Sequence, residues 1–256
     1  MSVANSSIDF ALVAIISFFI FFVGLVIYLR REDRREGYPV EEDGSGRLRT
    51  AGGVLFMAPP KTFHLSFGRG DVTVPNARRD RRPVAGERTS VTPGSPMRPM
   101  GDPMVDGVGP AAYAERAKVP DLDLHGQPKI VPMRAAAGFT VADGDADPRG
   151  MKVIAANGEI AGVVEDLWVD RGETIVRYLE VGLAGSSGRA LLPMTMARID
   201  KRRSHVKVEA ITAAQFVNVP KLQNPNQITL YEEERVTAYY GGGLLYATPS
   251  RAEPLL

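Results

Sequence analysis

The hydropathy pattern along the chain changes character three times. Residues Phe10–Leu29 form an unbroken apolar run, FALVAIISFFIFFVGLVIYL, that carries no charge. A helix over this run, rising about 1.5 Å per residue, matches the roughly 30 Å hydrocarbon core of a bilayer. The run stops at the cluster Arg30-Arg31-Glu32-Asp33-Arg34-Arg35-Glu36. From residue 37 to about residue 110 periodicity fades, and Gly, Pro and Arg dominate. Within that stretch Thr62–Phe67 and Asp71–Val74 alternate like short strands. Gly109–Arg116, with Pro110 near its first position, reads as a short helix.

From about residue 130 the period becomes that of strands. Met151–Ala155 leads into Asn157-Gly158, a hairpin signal, and Gly162–Val169 continues as a strand. Asp170-Arg171-Gly172-Glu173 is a turn, followed by Ile175–Val181, a Gly/Ser turn at 185–188, and Ala190–Leu192 ended by Pro193. Met196–Ile199 and His205–Val208 complete the series. Short strands at this even spacing predict a small antiparallel barrel or sandwich. The end of the chain turns helical. Thr212–Val217 is one short helix, and Thr229 with Glu232 makes a capping box that opens a second. Gly241 is the expected stop of that second helix.

The apolar run is expected to be a retained anchor. The residues before it, MSVANSSID, hold no Lys or Arg, and no small-residue cleavage site follows. Arg30, Arg31, Arg34 and Arg35 lie just after it, so the positive-inside rule puts the N-terminus in the periplasm and the long C-terminal part in the cytoplasm. The run has no His, Asn, Gln or charged residue, hence no strong axial ligand for a pigment and no intramembrane proton relay. Such a helix anchors and docks.

Composition narrows the chemistry. The net charge is +1, which gives no broad basic field for nucleic acid. There are no cysteines, so thiol catalysis, disulfides and Cys-based metal sites are excluded. The three histidines, His64, His125 and His205, are too far apart in sequence for a short metal motif. Nucleophile-elbow, P-loop and dinucleotide-binding signatures are missing. A tethered enzyme would need a constellation that these residues do not supply. A membrane-anchored adaptor for RNA or protein, built on a similar small barrel, is the alternative reading. It would call for a basic face with exposed aromatics.

Several motifs carry a resemblance. They are YLRREDRREGYP (28–39), PKTFHL (60–65), GDPMVDGVGPAAYAERA (101–117), KIVPMRAAAGF (129–139), EDLWVD (165–170), RYLEV (177–181) and AYYGGGLLYATP (238–249). Together they resemble the H-chain family of purple-bacterial photosynthetic reaction centres. The resemblance implies a single transmembrane α-helix plus a mainly-β cytoplasmic domain, a small antiparallel barrel of the PRC type with a few short helices. The expected organisation is a periplasmic N-terminus (1–9), the membrane helix (10–30), a loop-rich Pro/Gly/Arg-rich segment (31–110) and the PRC-barrel domain with C-terminal helices (111–256). It also implies a non-enzymatic subunit of the bacterial inner (intracytoplasmic) membrane that binds no pigment or metal itself. This subunit stabilises the L and M subunits, covers their quinone sites and conducts protons to the secondary quinone. Bacteriochlorophyll, bacteriopheophytin, quinones and non-haem iron are expected in those partners. A cytochrome subunit and light-harvesting antenna are further partners in the same complex, and anionic lipids are expected at the arginine border.

Read from the residues alone, DRGE at 170–173 is a solvated hairpin turn. The resemblance instead assigns Asp170 and Glu173 to proton transfer, with Arg177 on the next strand tuning their affinity. Clustered carboxylates that titrate as a group suit such a relay. Asp121, Asp123 and His125 form a candidate site of proton uptake from solvent, and an exposed acidic loop is the competing reading. The family can bind zinc here through an Asp and two His. This chain has Gln127 in place of the second His, which leaves two good ligands. Trp168 is expected in the core.

Overall fold

The computed structural model describes residues 9–38, 40–41, 47–49, 56–76, 80, 82–92 and 94–252. Residues 1–8 of the expected periplasmic tail (1–9) lie outside the described residues, as does part of the Arg-rich stretch at 76–83. The chain divides into two compact units, Met1–Arg79 with Val91–Gly94, and Asp80–Ser90 with Ser95–Leu256.

The first unit is built on α1 (Phe10–Glu32), a helix long and apolar enough to cross a membrane. Asp9 caps its start by accepting from the backbone N–H of Ala11 and Leu12, which satisfies two of the donors a helix leaves unpaired. None of its residues is buried. At its other end the border arginines turn back onto the chain. Arg31 Nε donates to the Met57 carbonyl at 3.2 Å and Arg35 to that of Pro59, while the Arg34 guanidinium lies over the rings of Tyr38 and Phe56. Two short antiparallel pairs complete the unit, β1 (Val40–Glu41) with β2 (Leu48–Arg49) and β3 (Lys61–His64) with β4 (Asp71–Val74). The second pair agrees with the alternation in the sequence, and all four side chains of β3 are exposed.

The second unit opens with a hairpin of β5 (Gly86–Arg88) and β6 (Met97–Pro99) and one turn of helix, α2 (Pro103–Asp106). The helix expected over 109–116 is only a single 3-10 turn, Gly109–Ala111. Its successor Ala112 is already extended, so Pro110 starts a turn and not a longer helix.

The core lies under a seven-stranded sheet of β7 (Ile130–Pro132), β8 (Lys152–Ile154), β9 (Ile160–Asp170), β10 (Ile175–Leu183), β11 (Arg189–Pro193), β12 (Ala197–Asp200) and β13 (His205–Val208). Strand order is β11-β10-β9-β8-β13-β12, with β7 paired to the far end of β9. The expected mainly-β domain with a few short helices is present, with two differences in detail. The outer strands β11 and β12 are not paired among the described residues, so the ladder is open. One pair, β8 with β13, is parallel. Alternation in sequence fixes which face of a strand is buried but not its direction against a neighbour.

The β8–β9 connection follows its sequence signal. Gly158 takes φ +80°, a left-handed conformation that glycine adopts without steric penalty, and its N–H bonds to the Ala155 carbonyl. Two register shifts between β9 and β10 leave Glu165 and Arg177 as the extra residues of bulges. Trp168, Leu179, Leu192 and Val206 are fully buried beneath the sheet. The Trp168 indole N–H donates to Glu180 Oε2 at 2.8 Å, which meets the need of a buried indole for a partner.

α3 (Leu230–Tyr246) closes the core and begins with the expected capping box. It does not stop at Gly241. A Cβ on Gly242 would lie 2.5 Å from Ala111 Cβ, and one on Gly243 would lie 2.6 Å from the Ala210 carbonyl oxygen. These glycines mark close approach of the helix to its neighbours, and the helix runs on to Tyr246.

Candidate proton-transfer site

Asp170 is the last residue of β9 and is 1% exposed. Its Oδ1 accepts from the backbone N–H of Gly172 at 2.9 Å and Glu173 at 3.0 Å, so the carboxylate shapes the turn that follows. Thr174, at φ +57°, completes the reversal into β10. The second oxygen of Asp170 faces the Lys129 ammonium at 3.3 Å. Glu173, exposed at the tip of the turn, meets the same ammonium at 3.1 Å. Lys129 therefore joins a buried carboxylate to a solvent-facing one. Glu173 first, and Asp170 after it, hold the Lys129 pKa above the ordinary lysine value. Arg177 is exposed on its bulge, with Nη1 3.9 Å from Glu173 Oε2, a loose pair in water.

The loop of 121–129 packs against this turn. Ile130 on β7 stands opposite Asp170 on β9, the Arg171 N–H donates to the Lys129 carbonyl, and the Lys129 N–H donates to that of Asp121. Asp123 organises the loop. Its Oδ1 accepts from the backbone N–H of His125 and Gln127, both at 2.9 Å, and its Oδ2 pairs with Arg171 Nη2 at 3.1 Å. The Gln127 N–H first, with those of His125 and Arg171 assisting, holds the Asp123 carboxyl below its ordinary value. His125 is exposed, and Asp121 is half-buried. Thus Asp121, Asp123 and His125 share one loop, and Asp170, Glu173 and Arg177 share one hairpin. The two groups meet through Lys129 and Arg171. Among the described residues no cluster of three or more His, Asp or Glu is arranged to hold a metal ion.

Two contributors escape a reading of the sequence. Lys129 stands just before a short strand, and nothing local names its partners 41 and 44 positions away. Arg171 reads as a turn residue, yet its side chain reaches back to Asp123 and the Pro128 carbonyl. Glu233, one of three acids at the start of α3 that the sequence offers both to the helix N-terminus and to proton delivery, is half-buried and accepts from the Tyr178 hydroxyl at 3.2 Å. Burial raises the Glu233 pKa.

Comparison with known families gives two matches. The model of the photosynthetic reaction centre H-chain N-terminal region matches residues 2–135, just over half of the chain. That of the PRC-barrel domain matches residues 141–215, which cover β8 to β13. With these two matches, a membrane-length helix and an open PRC-type sheet, the chain belongs to the photosynthetic reaction centre H-chain family, and it is a structural subunit of that membrane complex.

Proposed function

We propose that this subunit covers the quinone sites of the L and M subunits on the cytoplasmic side and passes protons to the secondary quinone. One observation carries the reading. Asp170, buried, and Glu173, exposed, share the Lys129 ammonium, and the Asp123 loop reaches the same turn through Arg171. A quinone that takes up two electrons and two protons at a buried site needs ionisable groups leading from water inward. The proposed route runs from Asp121, Asp123 and His125 at the loop to Glu173 and Asp170 at the turn, and the Lys129 and Arg171 contacts support it. Arg171 Nε is buried and has no protein partner among the described residues, so it is available to a water on this route. Arg177, re-aimed by its bulge, tunes the charge around Glu173. Glu233 adds a carboxyl that burial inclines to hold its proton.

The membrane topology belongs to the same proposal, with the N-terminus periplasmic and everything after the anchor cytoplasmic. Residues 31–110 act as the loop-rich connection and 111–256 as the barrel domain. Arg30 has no protein partner among the described residues and is the border arginine best suited to an anionic lipid head group. The bacteriochlorophyll, bacteriopheophytin, quinones and non-haem iron sit in the L and M partners, and cytochrome and antenna subunits join the same assembly.

The test uses the assembled complex with Asp170→Asn and Glu173→Gln combined. Asn keeps an oxygen to accept the two turn N–H groups, so the turn survives while the charge is lost. Proton uptake after a second flash is expected to slow by about tenfold or more. Unchanged uptake kinetics would refute the assignment.

A further inference from the structure

A second cluster lies along β9 and β10 away from the turn. Arg134 Nη1 bonds to Asp166 Oδ2 at 2.9 Å and to both oxygens of Glu180, while Arg134 Nη2 donates to the Pro225 carbonyl. Glu180, nearly fully buried, also accepts from the Trp168 indole and sits 3.3 Å from Arg189 Nε. Beside this network is a pocket of about 180 Å³, walled by Trp168, Leu191, Leu222 and Pro225. Arg134, Glu180, Arg189 and Lys221 supply its polar groups.

The state of those polar groups defines the ligand. Both Glu180 oxygens are already engaged, so the only side-chain carboxylate lining the pocket offers no open acceptor. The open groups are donors. Among the described residues, the Arg189 guanidinium uses only its Nε, on Glu165 and Glu180. Among the described residues Lys221 Nζ makes one bond, to the Arg189 carbonyl at 3.2 Å, and pairs with no carboxylate. Lys221 is exposed, and the crowding of its ammonium by neighbouring atoms lowers its pKa. Two cationic donors beside a carboxylate that is already engaged favour an anionic group. Asp166 and Glu165 pair with Arg134 and Arg189, and with Glu180 they balance the formal charge of the two arginines and Lys221. A bare inorganic anion is thereby disfavoured, and the apolar walls must contribute to binding. The volume is below the range of about 300–1,000 Å³ usual for drug-sized ligands, so the body must be a single ring or a short chain.

We propose that this pocket binds a small organic carboxylate, with its carboxyl between Arg189 and Lys221 and its apolar body against Leu222 and Pro225, in front of the buried Trp168. Trp168 is the sole tryptophan of the chain and reports on its own pocket. The full-length chain in neutral detergent is titrated with cyclohexanecarboxylate, which does not absorb where tryptophan is excited. Expected is a saturable change in Trp168 emission. The neutral isostere cyclohexanecarboxamide and inorganic phosphate should each bind at least about tenfold more weakly. Lys221→Gln should weaken the acid by about tenfold and leave the unfolding midpoint unchanged. The proposal is overturned by the absence of a saturable response up to about 10 mM acid, by equal binding of acid and amide, by phosphate binding as tightly as the acid, or by unaltered binding in Lys221→Gln.

Discussion

Leu179 on β10 is fully buried, whereas Phe19 on α1 is 57% exposed, and the contrast extends to the units that hold them. The second unit surrounds its large apolar residues with its own strands and α3, so its stability is internal. The first unit keeps no buried residue on α1 or on β3. An isolated two-stranded hairpin is marginal in water, and an apolar helix of this length is satisfied only by lipid or by other membrane helices. The same chain therefore contains one part that folds by burying itself and one part whose apolar surface is matched by its surroundings. A subunit anchored in a membrane complex that also keeps a definite shape of its own needs both.

The sharpest way to break this contrast is truncation on either side of it. Leu179→Ala should lower the unfolding free energy of the detergent-solubilised chain by about 2–5 kcal/mol, measured with denaturant and Trp168 emission. A loss below about 1 kcal/mol would mean that the sheet core is not what holds the second unit together. Gly243→Ala comes next, at about 1–3 kcal/mol, because a methyl group there meets the Ala210 backbone and Ile211. That result would also distinguish a packing glycine from a helix stop, since a stop position on the surface tolerates alanine more readily.

Two pH effects are smaller and concern the loop and helix that flank the candidate site. The Asp123 carboxyl is held below its ordinary value, so its contribution is present above about pH 3.9 and is lost as pH falls through the lower folded value. Asp123→Asn should flatten the acid limb of the stability curve. Glu233 is shifted the other way by burial. Its favourable contribution is full below about pH 4.3 and is lost as pH rises through the higher folded value. Glu233→Gln should then flatten stability on the weakly acidic to neutral side, read from thermal unfolding across pH. A steeper curve in either variant would reverse the sign argued for that group. The smallest effect belongs to Phe19→Ala, which should change the unfolding of the second unit by less than about 0.5 kcal/mol.

Much of this fold is legible in the sequence where burial follows a period. The apolar run gives α1, alternation gives β8 to β13, and Thr229 with Glu232 gives the start of α3. What is hidden depends on contacts between distant residues. The parallel pairing of β8 with β13 is invisible to alternation. Gly241 to Gly243 resemble a stop only until Ala111 and Ala210 are known to lie against the helix. The candidate site divides in the same way. Asp170 and Glu173 stand out as carboxylates around a turn, while Lys129 and Arg171, which bind the turn to the Asp123 loop, carry no local mark. The family resemblance drew attention to the carboxylates, and the strand pairing of Ile130 with Asp170 explains why the lysine reaches them.

The central claim is that Asp170 and Glu173 carry protons toward a quinone, beyond the part Asp170 plays in building a turn. The most direct measurement is the flash-induced rate of second-electron transfer in complexes carrying Asp170→Asn with Glu173→Gln, followed across pH. The account predicts a slower rate, with the deficit growing as pH rises and protons become scarce. A rate and pH profile equal to those of the unaltered complex would contradict it.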